Sequence, residues 1–314
     1  MKVGGTVKLT DEERSSLDRV IACINGKGGV LKTTLVANIS GLLAASGYRV
    51  LAVDLDPQGN LAEDFGYTGD ARDDGGRSLA QTLLFGGVAQ PVRDVRPGLD
   101  VLVGGSALDQ ATAGLAARSN KDPDGAKLAL ANVLAGMASD YDMILLDCPP
   151  GDEMLQTAAV AAARWALVPV KTDKSSRKGL SAVAARLDAV LDINPGLDLL
   201  GVVLTAVGSG AKNVERRARS EISALFNSED DVVFEATVRH SEATAQATRE
   251  RGLLAHELDA QIQDGPKWYE IRRGTAEAQV LAPQTASSVA DDLHALTTAV
   301  VERISQSEHE GADA

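Results

Sequence analysis

The segment Gly26-Lys27-Gly28-Gly29-Val30-Leu31-Lys32-Thr33-Thr34 constrains this chain most, because it sits directly between an apolar run and an apolar helix candidate. A glycine-rich turn from strand to helix lets successive backbone N–H groups converge on a phosphate chain, and the helix N-terminus adds partial positive charge. Lys32 adds a full charge at that point. Thr33 offers a hydroxyl to Mg²⁺, the division of labour expected of GxxxxGK[ST] loops. A merely tight glycine turn gives no reason for Lys-Thr at the helix start.

Past residue 19, short apolar or β-branched runs alternate with longer Ala-rich amphipathic ones, which predicts an α/β fold: a doubly wound, mostly parallel sheet with helices on both faces. Strands are expected at about Arg19–Asn25, Arg49–Asp54, Leu99–Val103, Met143–Asp147, Ala166–Val170, Leu199–Thr205 and Val232–Thr237. With 314 residues and 44% hydrophobic content the chain can pack one large domain, and intrinsic disorder is excluded for most of it. The expected layout is a short helical extension at 1–18, with Thr10 and Glu13 as its capping box, and the main domain at 19–257. An irregular insert at 258–284, a C-terminal helix packed on the domain at 285–306 and a frayed acidic tail at 307–314 follow. Asp70–Arg77, rich in Gly and Asp, reads as a second surface excursion.

Three aspartates join the loop. Asp54 and Asp56 close the second strand, where a period of two puts them on one side, and Asp147 ends the apolar run Met143–Leu146. Carboxylates at the C-terminal edge of a parallel sheet, beside a phosphate loop, can hold a magnesium shell and position a water. Singly, each could be a solvated strand-end residue or a helix N-cap. Cys23 and Cys148 lie far apart in apolar stretches with no CxxC pair, so zinc, iron–sulfur and redox-disulfide chemistry are excluded and a reducing cytoplasm fits.

The loop, with VDLDPQGN at Val53–Asn60, LLDCPPG at Leu145–Gly151 and Val238-Arg239-His240-Ser241-Glu242-Ala243, resembles the ParA family of deviant Walker A ATPases over about residues 19–257. The resemblance implies a single P-loop NTPase domain that binds ATP and Mg²⁺, forms a homodimer on ATP and hydrolyses it slowly. It further implies non-specific binding of duplex DNA, stimulation by a ParB-like centromere-binding protein, and a cytoplasmic, nucleoid-associated role in DNA partition. Carried over, it makes Lys32 the β/γ-phosphate lysine, Lys27 the lysine reaching the partner subunit's nucleotide, and Asp56 the residue orienting the hydrolytic water. Thr33, Asp54 and Asp147 become the magnesium set. Gly26 to Thr34 cradle the phosphates, while Arg239 and Ser241 belong to the nucleotide-base loop.

One position departs from the family pattern, which has glycine immediately before the P-loop lysine where this chain has Leu31. A positive φ there would cost a leucine about 1–2 kcal/mol. Leu31 is read as a tolerated variation, and Leu31→Gly is expected to be mild.

The net charge of -13 excludes a surface that is basic throughout, so DNA has to meet a local patch. The best is Lys212, Arg216, Arg217 and Arg219 on a helix after the sixth strand; a solvated charged face is the bland alternative. Lys171, Lys174, Arg177 and Lys178 form another basic run, and Arg249, Arg251, Lys267, Arg272 and Arg273 are further candidates. Few aromatics means phosphate contacts without base stacking. Two rivals share the loop: a nucleotide-gated scaffold with little hydrolysis, and a MinD-like positioning ATPase. The second needs a basic membrane-binding C-terminal helix, whereas Ser287–Ser305 carries Asp291, Asp292 and Glu302 against Arg303 and no membrane contact is expected.

Overall fold

In the computed structural model the described residues are 8–172, 174–208, 212–226, 232–264, 283 and 285–313. Eight strands form one sheet in the order β3-β4-β2-β5-β1-β6-β7-β8. They are β1 (Val20–Cys23), β2 (Val50–Asp54), β3 (Val92–Arg96), β4 (Leu99–Leu102), β5 (Met143–Asp147), β6 (Trp165–Lys171), β7 (Asp198–Val207) and β8 (Val238–Arg239). All neighbours run parallel except β3 with β4.

Alternation along β1 sorts the core into two layers. Val20, Ala22 and Ile24 enter one apolar cluster, and Ile21 and Cys23 enter the other. Helices α4 (Arg77–Phe85), α5 (Leu108–Ser119), α7 (Ala129–Ala135), α8 (Glu153–Ala162) and α9 (Lys174–Asp188) cover the first face. On the second lie α2 (Lys32–Ala45), α3 (Asn60–Phe65), α12 (Ala255–Asp264) and α13 (Ala286–Asp313). Burial on both sides explains why the central strands read as continuous apolar runs. The expected doubly wound fold is therefore the observed one.

The differences are informative. β3 is unexpected because Val92-Arg93-Asp94-Val95-Arg96 is charged; it pairs as an edge strand since Asp100 on β4 accepts hydrogen bonds from Arg93 (2.6 Å), the Asp94 N–H (2.8 Å) and Tyr141 (2.8 Å). The strand expected at Val232–Thr237 is only a bridge, in which Val202 donates to the Val232 carbonyl (2.7 Å) and accepts from the Phe234 N–H (2.9 Å). The chain then turns away, and β8 begins only at Val238, directly after the expected segment ends, beyond a register break in β7 beside Ala206 at φ +52°. Asp70–Arg77 is not a free excursion: a Cβ on Gly105 would stand 2.7 Å from the Gly75 backbone, and one on Gly76 would stand 3.0 Å from that of Gly104. Residues 258–264 of the expected irregular insert belong to α12, and most of its remainder lies outside the described residues.

Residues 10–19 and 307–313 are better held than expected. α1 (Asp11–Ser15) carries the capping box, Thr10 accepting from the Glu13 N–H while Glu13 accepts from that of Thr10, and Arg14 donates to the carbonyls of Ala161 and Ile193. The tail expected to fray continues α13 through Asp313, and Arg19 pairs with Glu308 at 2.7 Å. Val289, Leu293, Leu296, Val300 and Ile304 of α13 are buried in the second cluster, so this helix is part of the core.

Candidate functional site

β1 lies between β5 and β6, and its C-terminal end is where the chain order reverses, the place where an open parallel sheet leaves a crevice. The glycine-rich loop occupies it. Asn25, fully buried, fixes the start: its side chain donates to the Pro169 carbonyl (2.8 Å) and accepts from the Lys27 N–H (2.9 Å). Thr205 on β7 fixes the middle by donating to the Val30 carbonyl (3.1 Å). Neither residue stands out in the sequence as a site residue. A polar residue directly between an apolar strand and the first glycine is a usable signal for Asn25, whereas Thr205 acts only through a contact 175 positions away in sequence.

Gly29 at φ +70° and Leu31 at φ +69° both adopt left-handed backbone. The conditional cost at Leu31 therefore applies. Lys32 opens α2 buried, its ammonium donating to the Lys27 carbonyl at 3.1 Å. Lys171, which the sequence groups with a basic run, instead lies at this loop: a Cβ on Gly29 would stand 3.9 Å from its Nζ. The side chains of residues 173–178 and the candidates Lys267, Arg272 and Arg273 lie outside the described residues.

The aspartates differ in what they already hold. Asp54 and Asp147 are register partners at the ends of β2 and β5, each 1% exposed. Asp54 accepts from the N–H groups of Asp56 (2.9 Å) and Leu61 (3.2 Å), so both of its oxygens organise the turn into α3. Asp56 lies beyond the strand, so that turn, and not the strand pleat, brings the two carboxylates together. Its Oδ1 accepts from the Gln58 N–H (2.9 Å). Asp147 has neither oxygen hydrogen-bonded. Burial pushes its pKa up to about 7, against the pull of the Thr33 hydroxyl and the Lys32 ammonium; burial and the facing Asp147 push Asp54 up as well.

An orphaned buried carboxylate beside a threonine hydroxyl fits a hard divalent cation. Among the described residues no group of three or more His, Cys, Asp or Glu could hold a metal alone. A cation held there would need further ligands, such as phosphate oxygens and water. Thr33 and Asp147 would hold Mg²⁺, while Asp54 contributes by shaping the turn.

Beside the loop is a pocket lined by Leu31, Thr34 and Asn38, by the turn from β8 into α11 (Glu242–Arg251), and by Val289 and Leu293. Ser241 caps α11, and Arg239 forms a two-pronged pair with Asp292 of α13 (2.6 and 2.7 Å). Ser241 and Arg239 both line this pocket, the Arg239 guanidinium engaged by Asp292.

A family model described as an AAA domain matches residues 18–199. The chromosome-partitioning ATPase Soj of Thermus thermophilus is 32% identical over 260 residues, covering 78% of this chain and 97% of that protein. The chain belongs to the ParA family of P-loop ATPases. The chromosome partitioning protein ParA of Caulobacter vibrioides is 33% identical over 232 residues, with 72% and 83% covered. Among solved structures, cobyrinic acid a,c-diamide synthase from Mycobacterium smegmatis with bound ADP and magnesium is 29% identical, with TM-score 0.60 and 84% of this chain and 99% of that chain covered. The cell division ATPase MinD of Pyrococcus furiosus, 21% identical at TM-score 0.62 over 91% of this chain and 99% of that chain, shares the fold.

The basic helix of this ParA-family chain, α10 (Lys212–Phe226), is divided in what it offers a ligand. Lys212 and Arg216 are exposed, and Arg217 is exposed while pairing with Glu221 at 2.8 Å. Arg219 points inward: it donates to the carbonyls of Phe234 (2.7 Å) and Glu235 (2.9 Å) and pairs with Glu215. Expected as a DNA contact, Arg219 instead fastens α10 to the segment after the Val233 bridge. Arg249 is similarly drawn to the buried Asp64 (3.4 Å).

Proposed function

We propose that this chain is a Mg²⁺-dependent partition ATPase that dimerises on ATP, binds duplex DNA without sequence preference, and is stimulated by a ParB-like centromere-binding protein. The observation that carries this is Asp147, a buried carboxylate with both oxygens unsatisfied, held beside Lys32 and Thr33 at a phosphate loop. Lys32 compensates charge on the transferring phosphoryl group, Lys27 contributes from the opposite subunit, and Asp56, in the adjoining turn, orients the attacking water. Mg²⁺, when bound through Thr33 and Asp147, neutralises phosphate charge. The protein's own work is placement, which suits slow turnover.

For DNA, Lys212, Arg216 and Arg217 supply phosphate contacts whose strength depends on pairing two subunits. The relatives named for chromosome partitioning support the partition role. A membrane-bound positioning role has against it the burial of the apolar face of α13; among the described residues no helix is long and apolar enough to cross a membrane. Nucleoid association follows from this reading. Phosphate release measured with Mg²⁺ alone, with duplex DNA, and with DNA plus the partner protein tests it. Turnover is expected to rise at each step and to vanish in Lys32→Ala; turnover indifferent to DNA and partner would sink the partition role.

A further inference from the structure

Leu31 holds a left-handed conformation, φ +69° and ψ +24°, without a polar side chain to offset the strain. Such an outlier persists where its surroundings over-determine it. The Leu31 side chain is half-buried and packs on the apolar cluster that contains Leu35, Val238, Val289 and Leu293. With Thr34 and Asn38, three and seven positions on, it forms one wall of that pocket. Its neighbours Lys32 and Thr33 serve the phosphate side, so the start of α2 divides two jobs between two faces.

The polar side chains around that pocket are largely committed. Asn38 donates to the Thr34 carbonyl and accepts from the Ala255 N–H; Arg239 holds Asp292; the hydroxyls of Ser241, Thr244 and Thr285 bond one another. What remains for a ligand is mainly apolar surface, and Leu31 supplies the part nearest the phosphate loop. A ligand with a polyphosphate at one end and a flat, partly apolar group at the other spans both faces.

Resting on the nucleotide reading above, we infer that Leu31 is a specificity-determining residue: its side chain contacts the nucleoside part of a bound nucleoside triphosphate and raises affinity for it relative to bare polyphosphate. This reverses the expectation that glycine at position 31 would be neutral.

The test compares Mg²⁺-ATP with Mg²⁺-tripolyphosphate by calorimetric titration of the full chain and its Leu31→Ala, Leu31→Gly and Leu31→Met variants, with thermal melts to verify folding. Leu31→Ala and Leu31→Gly are expected to lose ATP affinity on the order of tenfold. Tripolyphosphate binding should hold or tighten, and Leu31→Met, which keeps apolar volume, should retain ATP. Parallel loss of both ligands would make Leu31 a determinant of loop shape and overturn the inference; so would ATP affinity undiminished in Leu31→Ala. If the unmodified chain binds tripolyphosphate but not ATP, the nucleotide reading itself fails and takes this inference with it.

Discussion

Asp54 and Asp147 stand opposite each other at the ends of β2 and β5, yet only Asp54 has its oxygens occupied, by the N–H groups of Asp56 and Leu61. Burial at 1% exposure is the main reason both carboxyls are pushed up; the facing Asp147 adds to Asp54, and Asp56 and Asp64 add to Asp147. In the proposed function, Asp147 is the member of the pair left to meet a cation.

Binding of Mg²⁺-ATP should therefore be pH-dependent with a definite sign. Asp147 must be ionised to meet the cation, and its pKa is about 7, so affinity is expected to rise between about pH 6 and about pH 8, with a proton released on binding below that midpoint. Stability of the ligand-free chain runs the other way. A carboxyl whose folded pKa exceeds its unfolded value binds more protons when folded, so this site's contribution weakens as pH rises from the ordinary carboxylate range through about 7. Titration calorimetry in buffers of different ionisation enthalpy counts the proton; affinity that is flat across this window would remove Asp147 from the cation site.

Asp56→Ala and Lys32→Ala should separate binding from chemistry. Losing the Asp56 carboxylate is expected to slow hydrolysis at least ~100-fold while ATP still binds and a dimer accumulates on a sizing column. Lys32→Ala should abolish binding, because it removes the buried ammonium at the loop. Normal hydrolysis by Asp56→Ala would exclude it as the water-orienting group.

Lys27→Ala is expected to bind ATP as a monomer and to turn over no faster than background, since its charge is assigned to the opposite subunit's phosphates. Light scattering with ATP reads this directly. A dimer of unchanged affinity would place Lys27 in its own subunit's site.

Thr205→Val keeps side-chain volume but frees the Val30 carbonyl from its 3.1 Å tie to β7. Loss of that hydrogen bond costs ~1 kcal/mol, or about fivefold in nucleotide affinity if the tie preorganises the loop. Unchanged affinity with a lowered melting temperature would make the tie structural only.

These assignments mark how far the sequence is legible. The phosphate loop with Lys32 and Thr33 and the strand-end aspartates are legible because each is written locally, as a glycine turn or a strand ending in an acid, whereas the part given to Lys27 comes only from the family resemblance. Asn25, Thr205 and Lys171 acquire theirs only when β6 and β7 are laid beside β1. β3 is hidden because its charge is satisfied by Asp100 and Tyr141, partners outside the strand itself. The tail looks unstructured only while Arg19, 289 positions from Glu308, is out of view. Charge alone likewise cannot tell Arg216 from Arg219, since one faces solvent and the other a pair of carbonyls.

That distinction yields a test of the DNA face. Replacing Arg216 and Arg217 by Ala should leave about two phosphates per subunit without a neutralising cation. The log–log salt dependence of DNA binding then flattens by about 0.9 for each such phosphate, with ATP affinity intact. Arg219→Ala should behave otherwise. It leaves the Phe234 and Glu235 carbonyls and Glu215 without their cation, so a stability loss of about 1–3 kcal/mol is expected with the salt slope unchanged in whatever remains folded. Because the chain carries a net charge of -13, DNA is repelled at long range and every short-range cation counts toward the slope. If the double variant binds DNA with the original slope, α10 is not the DNA-facing helix. If Arg219→Ala flattens the slope without loss of stability, the inward-facing arginine must swing out on DNA, releasing its hydrogen bonds to the carbonyls of residues 234 and 235.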